Sequence, residues 1–157
     1  MRLIKPKVEL INQEPGVEGL FKHMELCART CYKSEDKITE DSAKKFINNV
    51  IIARGHTAML EHGTVYLKVP NSVVDEGFQF GTNWSTLCLN PYTRYISDGD
   101  YYYYTTNYRV IIEHDLQGVL EYLCEPTEYH EKRITVKFVC DRGVSHEFVR
   151  HKLLCAA

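Results

Sequence analysis

The spacing of apolar residues changes along this chain, and that change is the strongest constraint on its fold. Near the amino terminus, apolar side chains recur every three or four residues, which is the period of an amphipathic helix. Residues 63–69 instead alternate between apolar and polar side chains, which is the period of a half-buried strand. The use of both periods predicts an α/β (α+β) protein of mixed helices and a small antiparallel sheet.

Two helices are predicted in the first third of the chain. The first spans residues 17–32. The second follows Thr39, a residue type that caps helices, and ends at Gly55, so that His56 lies just beyond it. An apolar stripe on each helix predicts burial against the core. The stripes consist of Val17, Leu20, Phe21, Met24, Cys27, Ala28 and Cys31 in the first helix, and of Ala43, Phe46, Ile47, Val50 and Ile51 in the second.

Four further segments have the composition or the alternation of strands. They are residues 7–11, 63–69, 101–106 and 134–139. Apolar spacing over residues 116–123 predicts a helix that ends before Pro126, and a last helix is predicted from about Val144. Residues 71–100 are rich in turn-forming residues, and no element is predicted there.

Length and charge bound the class of protein. With 157 residues, of which 44% are hydrophobic and 25% charged, the chain is expected to form a single domain over residues 1–157. The net charge of −2 excludes the broad basic surface that grips a nucleic-acid backbone. The sequence has neither an apolar run of about 20 residues nor a signal-peptide pattern. We therefore expect a cytoplasmic protein that binds no nucleic acid and no membrane.

The six cysteines do not predict a disulfide framework, because they lack its dense spacing. Cys27 and Cys31 are four residues apart and could ligate zinc from one helix face, but the favoured interpretation is small buried hydrophobic residues. His146 and His151 are five residues apart, which separates them by about 140° around a helix. That angle does not fit the zinc motif of metalloproteases, so no metal is predicted.

Two histidine-containing segments carry the chemical information in the sequence. They are residues 54–62, RGHTAMLEH, and residues 141–152, DRGVSHEFVRHK. On a helix, Arg150 and His151 diverge by about 100°, so they could contact two parts of one extended ligand. An arginine fork suits a phosphate or the imide edge of a pyrimidine. From the residue types alone, the favoured interpretation is a surface arginine and a structural histidine in the core.

Together the two segments resemble the flavin-dependent thymidylate synthases. Members of that family carry a Gly-His-x-x-x-x-Glu-His element followed by an Arg-His-Arg signature. The matching residues are Gly55-His56 with Glu61-His62, and then Arg150-His151-Lys152. The resemblance covers about residues 26–69 and 134–152, and residues 71–133 look like an insertion between them.

This resemblance implies a reaction as well as a fold. Members of the family are homotetramers whose active sites form at subunit boundaries. They methylate deoxyuridine monophosphate (dUMP) reductively to thymidylate, using flavin adenine dinucleotide (FAD), methylenetetrahydrofolate and NADPH. The flavin hydride does the chemistry that a protein thiol performs in other enzymes.

The resemblance also implies roles for individual residues. His56 and Arg150 would take part in catalysis, and Glu147 and Arg150 would approach the nucleotide. Ala58 stands where the family commonly has a hydroxyl residue, which the neighbouring Thr57 could replace. The residues implied to contact the flavin are His56, Ala58, Glu61, Arg150, His151 and Lys152.

Three positions depart from the family pattern. Lys152 replaces the second arginine of the signature, which exchanges a planar fork for a point charge. Cys155 stands where serine is usual, and the sequence ends at Ala157, inside the signature. We therefore expect a truncated member of the family. The alternative is a non-catalytic remnant that folds, oligomerises and binds flavin or nucleotide without turnover.

Overall fold

The computed structural model describes residues 5–79 and 83–150. The chain divides into two compact units, Gln13–Lys132 and the pair of end segments Met1–Asn12 and Arg133–Ala157. About 49% of the structure is helix and 21% is strand, in small antiparallel sheets. The predicted mixed α+β class is confirmed.

The larger unit contains most of the helices. They are α1 (Gly16–Tyr32), α2 (Ser42–Phe46), α3 (Asn71–Gln79), α4 (Asn83–Leu89) and α5 (Tyr108–Glu113), with 3-10 helices over Glu35–Lys37, Thr57–His62 and Gln117–Tyr122 and a π-helical segment over Ile47–Ile52. The stripe predicted on α1 faces the core at Leu20, Met24 and Ala28, each fully buried. The stripe is shorter than predicted, because Val17 and Cys31 are exposed.

Three antiparallel strands form the sheet of this unit. They are β2 (Thr64–Pro70), β3 (Arg94–Ser97) and β4 (Tyr101–Asn107), in the order β2-β4-β3. The register pairs Thr64 with Asn107 at one end of β2 and Pro70 with Tyr101 at the other. The predicted alternation of β2 holds in part, since Val65, Leu67 and Val69 are fully buried and Lys68 is exposed. Tyr66 departs from it and is buried, because its ring packs against His130.

The central strand of the sheet comes from the segment that the sequence suggests as an insertion. β4 pairs with β2 on one side and with β3 on the other. Its residues Thr105, Thr106 and Asn107 are buried, and the Tyr104 ring stacks on Trp84 of α4 at 5.7 Å between centroids. This segment therefore supplies the central strand and buried residues of the larger unit.

The predicted helix boundaries differ from the structure in two places within the larger unit. The second predicted helix is α-helical only over Ser42–Phe46 and then widens into the π-helical segment. The helix predicted before Pro126 is a 3-10 helix over Gln117–Tyr122. In both places the apolar spacing locates a helical turn, but the backbone hydrogen-bond pattern is set by packing, which the spacing does not specify.

The smaller unit consists of two paired strands and a helix. β1 (Lys7–Ile11) pairs antiparallel with β5 (Thr135–Val139), and α6 covers Arg142–Arg150. α6 begins two residues before the predicted start at Val144, because the Asp141 carboxylate caps it by accepting the Val144 N–H at 3.0 Å. No helix among residues 5–79 and 83–150 is long and apolar enough to cross a membrane.

A buried ion pair ties α1 to the start of α2. The Arg29 Nε donates to Glu25 at 2.6 Å, and the two side chains are 10% and 1% exposed, respectively. The Ser42 hydroxyl donates to the other Glu25 oxygen at 2.9 Å, and the Arg29 guanidinium lies 4.1 Å from the centre of the Phe46 ring. Each charge is therefore compensated inside the protein.

We expect the substitution Glu25→Gln to lower the free energy of unfolding by about 3 kcal/mol, because it leaves a buried guanidinium unpaired. Urea unfolding followed by circular dichroism measures this change. The matched control is Glu18→Gln, which removes the exposed ion pair with Lys22 on the same helix. Equal effects of the two substitutions would show that the buried pair has no special role.

The neutral imidazole of His130 connects its loop to β2 through hydrogen bonds. The residue is 6% exposed. Its Nδ1 accepts the Thr127 backbone N–H at 3.0 Å, so the ring proton is on Nε2. Nε2 donates to the Leu67 carbonyl at 3.1 Å. The rings of Tyr66 and Tyr103 make edge contacts with it. Burial lowers the pKa of His130.

Because the pKa of His130 is lower in the folded protein, the unfolded chain takes up the proton first as the pH falls. The stabilisation is complete above the unfolded pKa of about 6.5 and is lost as the pH falls towards the folded value. We expect His130→Gln to flatten the decline of stability below pH of about 6.5, measured by urea unfolding across pH. Parallel curves for both proteins would contradict this role.

Candidate functional site

The first predicted site segment lies at the end of a helix. Gly55 has a left-handed backbone, φ +70°, and its N–H donates to the Ile52 carbonyl at 3.0 Å. The His56 N–H donates to Ile51 at 2.9 Å, which closes the helical segment. The chain then turns into the 3-10 helix Thr57–His62, called here the 57–62 segment, so that His56 stands exposed at a bend.

The imidazole of His56 is oriented by the last residue of α1. The Tyr32 hydroxyl lies 2.5 Å from the His56 Nδ1, and the two rings are 5.9 Å apart and tilted by 32°. This contact engages one ring nitrogen. Nε2 has no hydrogen-bond partner within the described part of the chain, so it is available to a ligand.

Glu61 is part of a charged network that joins the 57–62 segment to α5. The Arg109 Nη1 lies 2.5 Å from Glu61, and its Nε lies 2.7 Å from Glu113. The Thr57 hydroxyl donates to the same Glu113 oxygen at 3.1 Å. One guanidinium therefore connects two carboxylates that are far apart in the sequence.

This network determines what its members can still bind. The hydrogen bonds that Arg109 donates, first to Glu113 and then to Glu61, raise the pKa of Arg109, and the same bond lowers the pKa of Glu113. Arg109 and Glu113 are therefore charged at neutral pH.

The Thr57 hydroxyl, a possible substitute for the hydroxyl that is missing at Ala58, already donates within this network. Ala58 is exposed.

The second predicted site segment lies in the smaller unit. Glu147 is exposed on α6, and Arg150 is the last residue of that helix. The Arg150 side chain and the residues His151 and Lys152 lie outside the described part of the chain. Their implied roles at the flavin and the nucleotide stay predictions.

Buried thiols and metal clusters are not features of this site. Burial raises the pKa of Cys27 to about 11, and it also raises the pKa of Cys88 and of Cys124. These three side chains are protonated thiols at neutral pH and are poor nucleophiles. No group of three or more His, Cys, Asp or Glu side chains that could hold a metal ion occurs among the described residues.

Three residues at the site are not predicted from the sequence. Tyr32 is predicted only as the end of a helix, and Arg109 and Glu113 have no predicted role. The spacing of Arg109 and Glu113, four residues apart, is a signal for a helical ion pair. The contact of Arg109 with Glu61 spans 48 residues, and it has no local sequence signal.

The residues around His56 include planar rings and a cationic side chain. The flavin dinucleotide that the sequence pattern implies combines a flat ring system with a pyrophosphate, so it would need groups of these types. The planar groups here are the Tyr32 and His56 rings. Arg54 is exposed two residues before His56 and has no ion-pair partner in the described residues. The donor set is compatible with an anionic aromatic ligand.

Comparisons with known proteins do not identify a relative of this chain. No protein-family model, curated protein or solved structure matches the chain. The function is therefore inferred from the residues of the chain itself.

We expect Arg109→Ala to loosen the 57–62 segment, because the substitution removes the ion pair that holds Glu61 to α5 and leaves the weaker hydrogen bond from Thr57 to Glu113. Hydrogen exchange measured by mass spectrometry should become severalfold faster for the amides of Thr57–His62, and high salt should have a similar effect on the unmodified protein. The matched control is Lys22→Ala, which breaks an exposed pair on α1. Unchanged exchange in the 57–62 segment would contradict the role of this network.

Proposed function

We propose that this protein binds a flavin and a deoxyuridine nucleotide and catalyses reductive methylation of the uracil ring, as the flavin-dependent thymidylate synthases do. Methylenetetrahydrofolate and NADPH are then the methylene and hydride donors, and FAD is the cofactor. The observation that carries this proposal is the exposed His56 at a glycine-ended helix, within a sequence pattern similar to that of the family.

The geometry around His56 supports a binding role more than a purely structural one. A structural histidine in this protein, His130, is buried and uses both ring nitrogens inside the fold. His56 is exposed, and its hydrogen bond to Tyr32 uses Nδ1 alone. Arg54 lies two residues before His56 in the sequence, and the Tyr32 ring lies beside the His56 ring in space. These surroundings suit a planar anion.

The chain's own side chains would bind and orient the ligands. We infer that His56 donates from Nε2 to the flavin and that Tyr32 fixes the ring that does so. Glu61, which is held by Arg109, then acts by keeping the 57–62 segment in place beside the ligand. Arg150 would bind the nucleotide phosphate through its planar fork, with Glu147 accepting from the nucleotide.

The bound flavin would supply the hydride of this reaction. A thiol nucleophile is then not needed, which agrees with the protonated thiols of Cys27, Cys88 and Cys124. We further propose that the protein is cytoplasmic and that it assembles as a homotetramer with sites at its subunit boundaries. The lack of a membrane-spanning helix in the described residues agrees with this location.

The full chain with added FAD tests the proposal. We expect quenching of FAD fluorescence on binding, and oxidation of NADPH that depends on dUMP and yields thymidylate in the presence of methylenetetrahydrofolate. Binding of FAD without turnover would favour the alternative, a non-catalytic protein that retains the ligand sites. The absence of FAD binding in every oligomeric form would contradict the proposal.

Two substitutions test the assigned residues. His56→Ala should weaken FAD binding about tenfold more than it weakens dUMP binding, because one ligand hydrogen bond is lost. Arg150→Ala should abolish measurable binding of both ligands while the melting temperature changes by only a few degrees. The controls are His114→Ala and Arg142→Ala, which remove exposed residues of the same types. Calorimetry that gives equal affinities for all four variants would overturn these assignments.

A further inference from the structure

The paired strands of the smaller unit carry an apolar face that is exposed. The register places Val8 opposite Phe138 and Leu10 opposite Val136, so these four side chains project from the same face of the pair. Val8 is 64% exposed, Leu10 is 66% exposed and Phe138 is 44% exposed. Such exposure on a strand pair marks a surface that is suited to association.

A pair of strands is also an incomplete sheet. Two strands alone are marginally stable in water, and three or more strands with an apolar face are needed for independent stability. Among the described strands, β1 and β5 pair only with each other, so the outer edge of β1 has no strand partner there. An additional strand at this edge would extend the sheet.

The charge pattern of β1 favours antiparallel pairing with the β1 strand of a second copy. When two antiparallel copies are centred on Val8, Lys7 of each copy lies opposite Glu9 of the other, and the two Val8 residues face each other. Centring on Glu9 places the two Glu9 residues opposite each other, and centring on Lys7 places the two Lys7 residues opposite each other between two Glu9–Lys5 pairs. Centring on Leu10 leaves every charge without an opposite charge. Only the register on Val8 is self-complementary in charge and also keeps the apolar residues on one face.

The outer edge of β5 lacks this property. Its one charged residue, Lys137, is at the centre of the strand, so two copies centred there place like charges opposite each other. Shifting the centre to Val136 or Phe138 pairs Lys137 with an uncharged residue. Within the smaller unit, Lys137 lies opposite Glu9 instead. The lysine thus protects the edge of β5, while the edge of β1 remains suited to pairing.

We propose that two copies of this chain associate through antiparallel pairing of their β1 strands, centred on Val8, to form a four-stranded sheet β5-β1-β1-β5 across a two-fold axis. Lys7 and Glu9, which form an ion pair with each other within one strand, then exchange partners to form two equivalent ion pairs between the copies. The apolar side chains of both copies combine on one face, with the two Val8 side chains in contact at the axis. This inference does not depend on flavin binding or on the proposed reaction.

Charge reversal at β1 tests the proposal by a complementation experiment. Lys7→Glu leaves two acidic residues on the strand, and Glu9→Lys leaves two basic ones, so each variant should self-associate about tenfold or more weakly than the unmodified chain. An equal mixture of the two variants should associate again, because each acid then lies opposite a base. The doubly reversed variant Lys7→Glu/Glu9→Lys should also self-associate. Sedimentation velocity at several concentrations measures all four cases.

The matched control reverses the exposed ion pair of α1 in the larger unit, with Glu18→Lys and Lys22→Glu tested singly and together. These variants should associate like the unmodified chain. Circular dichroism establishes that the β1 variants are folded, and the mixture is decisive because each variant is its own folding control. A monomeric unmodified chain, or folded single variants whose mixture associates no better than either alone, would overturn the proposal.

Discussion

The antiparallel pairing of β2 with β4 is the constraint on which the larger unit depends. Its register places Thr64 opposite Asn107, so the residues just before β2 and just after β4 must lie side by side. Those residues are the 57–62 segment and α5, and the contact between Glu61 and Arg109 follows from the register. A shift of one residue would turn the buried face of β2 to the surface and would also separate this ion pair.

The elements with a complete hydrophobic period could be predicted from the sequence. β1 has the predicted bounds, and α1, β2, β4 and β5 differ from their predicted bounds by one residue at one or both ends. In α1 one face packs against the core, and in β2 the apolar face is fully buried, so these burial patterns follow from the apolar spacing in the sequence. β4 is predicted from its run of tyrosines, which favour strands even when both faces of the strand are buried.

The remaining elements depend on contacts that lie far apart in the sequence. β3 is exposed at all four residues, so it has no buried face to reveal a period, and it is ordered by its pairing with β4. α3 and α4 lie within the turn-rich residues 71–100, and α5 has six residues, which is too short to show a helical period. The same limit applies to the site, where the sequence locates His56 and Glu61 but not Arg109, whose position depends on the register of the sheet.

The His56 site and the proposed pairing of β1 involve different residues, so they can be tested separately. For the site, the most direct measurement is a titration of the isotopically labelled full chain with FAD, followed by amide nuclear magnetic resonance. The account predicts that the largest shifts occur at Gly55, His56 and the 57–62 segment, while the amides in the centre of the β2–β4 ladder change little. Saturation with FAD that leaves Gly55 and His56 unshifted would contradict it.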